Sequence, residues 1–232
     1  MWGENSHMEN NKELFVVCTK EDKYIFKCVG NININHPSAD ILIIDSDSDN
    51  KDYMRTIDND KRYKNVIVSK FKNKNYEYGA ILHGFLNYKN EYDVFFFVQD
   101  NLYYNRTIDS RPLKEDAAWV FSGYRDGWIL WQNHYENQKK QFPDFFNHPK
   151  YVCPNNLLNV QWNSFIIRTK TFDKCINSEI FSLIGAPINK FGSIHWERIW
   201  ASVFLANDIQ IRELTDFQYV NINIKKVSGS RQ

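Results

Sequence analysis

The first hundred residues alternate between short apolar runs and stretches with helical spacing. Leu14–Lys20, LFVVCTK, is a β-rich apolar run ending in polar residues and predicts a buried strand. In DKYIFKCVGNI, Ile25, Phe26, Val29 and Ile32 recur at helical spacing, with Asp22 as the expected N-cap. HPSAD reads as a turn, ILIID (Ile41–Asp45) as a strand ending on a carboxylate, and SDSDN as a polar loop. NVIVSKF predicts a third strand. NYEYGAILHGFLNY predicts a helix with Ile81, Leu82, Phe85 and Leu86 on one face, and DVFFFVQD a fourth strand.

The resulting order is β-α-β-loop-β-α-β. Strands that are apolar on both faces and separated by helices indicate an α/β fold with a mostly parallel, Rossmann-like sheet. Ligands of such sheets sit at the carboxyl ends of the strands. Thr19, Asp45, Ser69 and Asp100 all fall at or just past predicted strand ends, so they are expected to converge on one rim. Strands also end in polar residues simply because loops are wet, so these four count together rather than singly.

The second half is less regular. The aromatic stretch from Asp116 to Phe146 carries Trp119, Trp128 and Trp131 and predicts a helix near 128–140. Ser164–Arg168 reads as a strand turning into a helix. IHWERIWASVFLAND is an amphipathic helix with Ile199, Trp200, Val203 and Phe204 apolar, and the alternating segment after it predicts an edge strand. With no internal repeat and no low-complexity linker, residues 8–232 read as a single compact domain. MWGENSH, residues 1–7, reads as an expression leader, because His-Met is what a common cloning site encodes.

Composition narrows the function. With 29 basic and 28 acidic residues the net charge is +1, which does not suit a nucleic-acid backbone. Lys-rich KFKNKN reads as a solvated loop. No apolar run approaches the roughly 20 residues a membrane span needs, and no signal peptide is visible, so the expected location is cytoplasmic. The four cysteines, Cys18, Cys28, Cys153 and Cys175, lack metal-type spacing and read as reduced thiols. Abundant Asn, Lys, Ile, Tyr and Phe suggest an AT-rich genome.

FVVCTKE, ILIIDSDSD, YGAILHGFLNY and VFFFVQDN together resemble, in order and spacing, a GT-A-fold glycosyltransferase, over roughly Leu14 to Asp208. The compactness is similar to the minimal glycosyltransferases of large DNA viruses. The resemblance implies a nucleotide-sugar donor, such as a UDP-sugar, and a glycan or other hydroxyl acceptor. The first two strands would hold the nucleotide, and the glycine-patterned helix containing Gly79 would follow the third. The fourth strand of the family ends in D-x-D, whose carboxylates help a divalent cation, Mn2+ or Mg2+, bridge the diphosphate. This chain has Gln99-Asp100-Asn101 instead. Asp100 with phosphate oxygens would hold such a cation at lower affinity, and Gln99 and Asn101 would supply neutral oxygens or bond the ribose.

HWERIW sits where the family often places a catalytic acid at a helix start. Glu197 is the candidate general base of an inverting transfer, kept ionised by the helix N-terminus. His195 is a second candidate metal ligand or diphosphate contact, and Arg198 a phosphate partner or a surface ion pair. Trp and Tyr side chains in 119–135 serve either the core or the sugar-stacking surface of an acceptor site. Two other functions compete. One is a non-catalytic carbohydrate-binding protein. The other is a nucleotidyltransferase, disfavoured because CTKEDKY lacks a glycine-rich phosphate loop.

Overall fold

The computed structural model describes residues 11–20, 24–60, 62–104, 106–121, 136–153, 160–214 and 217–219. The expected leader, Asp22, Asp126, Trp128 and Trp131 lie outside them. The elements run β1 (Glu13–Thr19), α1 (Ile25–Asn35), β2 (Asp40–Asp45), α2 (Asp52–Asn59), β3 (Val66–Val68), α3 (Tyr76–Tyr88), β4 (Val94–Gln99), β5 (Leu102–Tyr104) and β6 (Ala117–Phe121). A helical turn and a half over 136–141, α4, follows. Then come α5 (Pro143–Phe146), β7 (Phe165–Arg168), α6 (Thr169–Ile176), α7 (Glu179–Ser182), α8 (Lys190–Ala206), β8 (Gln210–Leu214) and β9 (Phe217–Tyr219).

Seven strands form one sheet in the order β3-β2-β1-β4-β7-β6-β8, and β5 pairs with β9 in a small second sheet. β1 to β4 are mutually parallel, as the alternation of strands and helices predicts. β7 runs antiparallel to both β4 and β6, which the sequence pattern does not reveal. β8, the expected edge strand, closes the sheet parallel to β6.

The period of two divides the core. Leu14, Val16, Leu42, Phe95 and Phe97 face α3, α6 and α8, where Phe85, Phe172, Trp196, Trp200 and Phe204 complete one cluster. Phe15, Val17, Ile41, Ile43, Phe96 and Val98 face α1 and α2 and form the other. β4 is therefore buried on both sides, and each phenylalanine it buries contributes about 1.5–3 kcal/mol. Gly84 lets α3 lie close against β1: a Cβ there would stand 2.8 Å from both methyls of Val16.

Three expectations are corrected. The stretch after β2 holds a helix, α2, because Tyr53, Met54 and Ile57 give it a buried face at helical spacing. α1 starts at Ile25 behind Tyr24, which makes no side-chain cap. Glu197 lies two turns inside α8 rather than at its start, since the helix begins at Lys190 behind Asn189, whose side chain caps the Gly192 N–H. The field of a helix end, which fades within a turn, therefore does not act on Glu197.

Candidate active site at the carboxyl rim

The carboxyl ends of β1 to β4 form one rim, and the amino end of β7 joins it because β7 is antiparallel. Cys18 pairs with Ile44 on one side and Gln99 on the other, so Thr19, Asp45 and Asp100 become neighbours. Asp45 and Asp100 thus flank the same strand. Thr19 donates to Asp100 Oδ2 at 2.7 Å, and the Asp100 N–H to the Cys18 carbonyl at 3.2 Å.

Asp45 is buried and fully engaged. It accepts from the Ser48 N–H at 2.9 Å, the Ser48 hydroxyl at 2.5 Å and the Tyr53 hydroxyl at 2.5 Å. Lys51 Nζ pairs with it at 3.0 Å. Burial opposes ionisation, but the bonds from Ser48, Tyr53 and Lys51 outweigh it and hold the carboxyl below its ordinary range. Burial and the adjacent Asp45 charge push the Tyr53 hydroxyl well up, so it stays a donor. Thr19 and Asp45 thus shape the rim from beneath, each about 1% exposed.

Asp100 sits on the same α1 side. Its charge adds to burial in raising the Cys28 thiol, and the Tyr103 hydroxyl is pushed up to about 12 by burial, Cys28 and Asp100. Gln99 and Ser69 turn to the other side of the sheet. Gln99 Nε2 donates to Glu77 on α3, and Glu77 also accepts from the Ser193 hydroxyl on α8. Ser69 Oγ lies 3.4 Å from His83 Nε2, and His83 stacks on Phe71. Gly79 is a packing glycine, since a Cβ there would meet Asn73 Oδ1 at 2.1 Å.

α8 carries Ser193, His195, Glu197 and Arg198, all buried. Ser193 and Glu197 are four residues apart, hence on one face, with Glu197 about 6 Å further along the axis from the rim. The helix is pinned through its carbonyls. Asn163 Nδ2 donates to Ser193 O at 3.3 Å, Gln138 Nε2 to His195 O at 3.0 Å and the Val160 N–H to Glu197 O at 2.7 Å. Burial brings the Arg198 guanidinium down to about 10, which leaves a buried cation at neutral pH.

Sequence reasoning missed Glu77, Ser193 and the turn at Trp162–Asn163. Among the described residues, four of the five left-handed non-glycine residues lie at this rim: Asp47, Tyr76, Trp162 and Asn163, with φ of 57°, 55°, 53° and 55°. Each costs about 1–3 kcal/mol and persists only where its surroundings fix it. No sequence signal marks these conformations. Trp119, a sugar-stacking candidate, is core in β6 with Arg212 over its ring.

Among the described residues, no group of three or more His, Cys, Asp or Glu side chains is arranged to hold a metal ion. The rim instead offers hard oxygen donors. Asn101 follows Asp100 in the chain, and its Oδ1 is buried and without a partner among the described residues. That pair fits a cation of the Mg2+ or Mn2+ type that takes its other ligands from water and phosphate. Among the described residues no helix is long and apolar enough to cross a membrane.

No family model matches the chain, and no curated protein matches it either. Among solved structures it is similar to a crystal structure of S. aureus TarS, at 14% identity and TM-score 0.49, over 88% of this chain and 35% of that one. A structure of S. aureus TarS 1–349 is similar at 13% identity and TM-score 0.49, over 88% of this chain and 58% of that one. The chain thus spans less than two thirds of either.

Proposed function

We propose that the chain is a glycosyltransferase that moves a sugar from a nucleotide-sugar donor, a UDP-sugar, to a hydroxyl of a glycan or similar acceptor, with inversion. The observation that carries this reading is the meeting of Thr19, Asp45 and Asp100 where β2, β1 and β4 end side by side. The nucleotide would lie across these ends with its diphosphate at Asp100. Asp100 with Asn101 would hold a divalent cation, which neutralises charge on the leaving diphosphate. His195 is the α8 candidate for a further contact to the diphosphate or its cation. Glu197 would take the proton of the acceptor hydroxyl as its oxygen bonds to the anomeric carbon and the bond to the phosphate oxygen breaks.

The test is a panel of nucleotide sugars with Mn2+, read by released nucleotide and by thermal stabilisation. Release from one donor that rises with an acceptor supports the reading. Stabilisation by free sugars but by no nucleotide sugar would assign a carbohydrate-binding protein instead.

A further inference from the structure

Glu77 is a buried carboxylate for which the transfer reaction gives no task. It is the second residue of α3, at 7% exposure, and both its oxygens are used: Oε1 accepts from Gln99 Nε2 and Oε2 from Ser193 Oγ. A carboxylate has no hydrogen to give, so the Gln99 amide must turn its NH2 towards it and its carbonyl oxygen away. Among the described residues no donor reaches that oxygen, and Gln99 is half-buried at the rim. We propose that Glu77 is a positioning residue that holds the Gln99 carbonyl outward, as an acceptor for a ribose hydroxyl of the donor, and ties β4 to α8.

The surroundings of Glu77 are built to hold it still. Asn73 is wholly buried; its amide donates to Tyr76 O at 2.7 Å and accepts from the Asn75 N–H at 3.0 Å. Asn75 in turn donates to Pro187 O at 2.8 Å, which fastens the start of α3 to the segment before α8. Gly79 admits Asn73 at a distance no side chain would allow. The two helices are therefore joined at the rim both by the Asn75 side chain and through Glu77, and α8 brings His195 and Glu197 with it.

The proposal rests on the nucleotide-sugar reading, so its test has two arms. The first needs no ligand: hydrogen exchange of the Gln99 side-chain amide, its resonance assigned by its loss in Gln99→Ala. Protection is expected in the wild type and in Glu77→Gln, and its loss in Glu77→Ala. In Glu77→Gln the new amide still accepts from Gln99 and donates to Ser193 Oγ, so orientation survives without charge. The second arm is calorimetric titration with UDP and Mn2+. Glu77→Gln should bind like the wild type and Glu77→Ala about tenfold more weakly, the loss of one net hydrogen bond. Gln99→Ala should weaken binding equally, and the double variant no further.

Equal exchange in the wild type and Glu77→Ala would overturn the orientation, and wild-type UDP affinity in Glu77→Ala would overturn its use. If Glu77→Gln behaved like Glu77→Ala, charge and not orientation would be at work. If Glu77→Ala did not fold, wild-type affinity in Gln99→Ala would still overturn the proposal. Failure of UDP to bind the wild type would sink the donor reading, and the exchange arm alone would then decide the tie.

Discussion

The two sides of the rim are built differently. On the α1–α2 side, Asp45 and Asp100 are carboxylates surrounded by hydroxyls: Ser48 and Tyr53 on the first, Thr19 on the second. On the α3–α8 side, Glu77 is held by an amide and a hydroxyl from two separate elements, and α8 supplies a buried His195, Glu197 and Arg198. The first arrangement holds two carboxylates at the strand ends, Asp45 paired to Lys51 beneath and Asp100 half-buried above it, which suits a cation carrying a diphosphate at Asp100. The second fixes the relative position of strand and helix, which suits a proton transfer that tolerates little displacement. Strand parity makes the division: Thr19 and Asp45 follow the α1–α2 side of their strands and Gln99 the other, so adjacent Gln99 and Asp100 serve opposite faces.

The strongest way to break this comparison is at Glu197. On the reading that the α8 side supplies the base, Glu197→Gln should lower transfer by roughly a hundred- to ten-thousand-fold while donor affinity stays near that of the wild type. Turnover above about a tenth of wild type would remove Glu197 from that role. The role would then pass to another acid: Asp208 follows the far end of α8, away from the rim, and Asp126 lies outside the described residues.

A smaller effect tests the other side. Asp100→Ala should weaken UDP binding in Mn2+ by about ten- to a hundredfold, the range for losing one charge-assisted contact. With EDTA present, wild type and variant should become equal. Wild-type affinity unchanged by EDTA would show that lysine or arginine carries the phosphate charge, and the division between the two sides would need redrawing.

Much of the fold is legible because the core strands are simple. LFVVC, ILII and VFFFV are apolar on both faces, which is how a central parallel strand reads, and their polar ends fall side by side at one edge of the sheet. Which side of the rim each end serves is implicit in the alternation, but only once the strand bounds are known. β7 gave no sign of its antiparallel direction, because FIIR is equally apolar either way. Glu77 was hidden by its position: a carboxylate in the first turn of a helix is usually a solvated end, and its burial depends on Ser193, 116 residues away. The start of α8 was misplaced because KFGS carries no strong helix signal and its cap, Asn189, follows Pro187 closely.

The last test concerns Asp45, where an effect on stability and none on binding distinguishes a scaffold carboxylate from a ligand-binding one. Its folded carboxyl lies below the ordinary value because its bonds to Ser48, Tyr53 and Lys51 outweigh the cost of burial. A depressed carboxyl contributes stability that is fully present above the unfolded value of about 3.9 and is lost as pH falls below it through the folded value. Urea unfolding should therefore show a stability plateau around neutral pH and a fall below about pH 4. Tyr53→Phe removes one donor to a charged acceptor and should cost about 1.5–3 kcal/mol on the plateau. It should also shrink the acid-dependent loss, because the variant's carboxyl sits closer to its unfolded value. Since Tyr53 is buried beneath the rim, UDP affinity should be unchanged at neutral pH. If Tyr53→Phe instead left stability untouched and weakened UDP binding, the network around Asp45 would belong to the ligand and not to the scaffold.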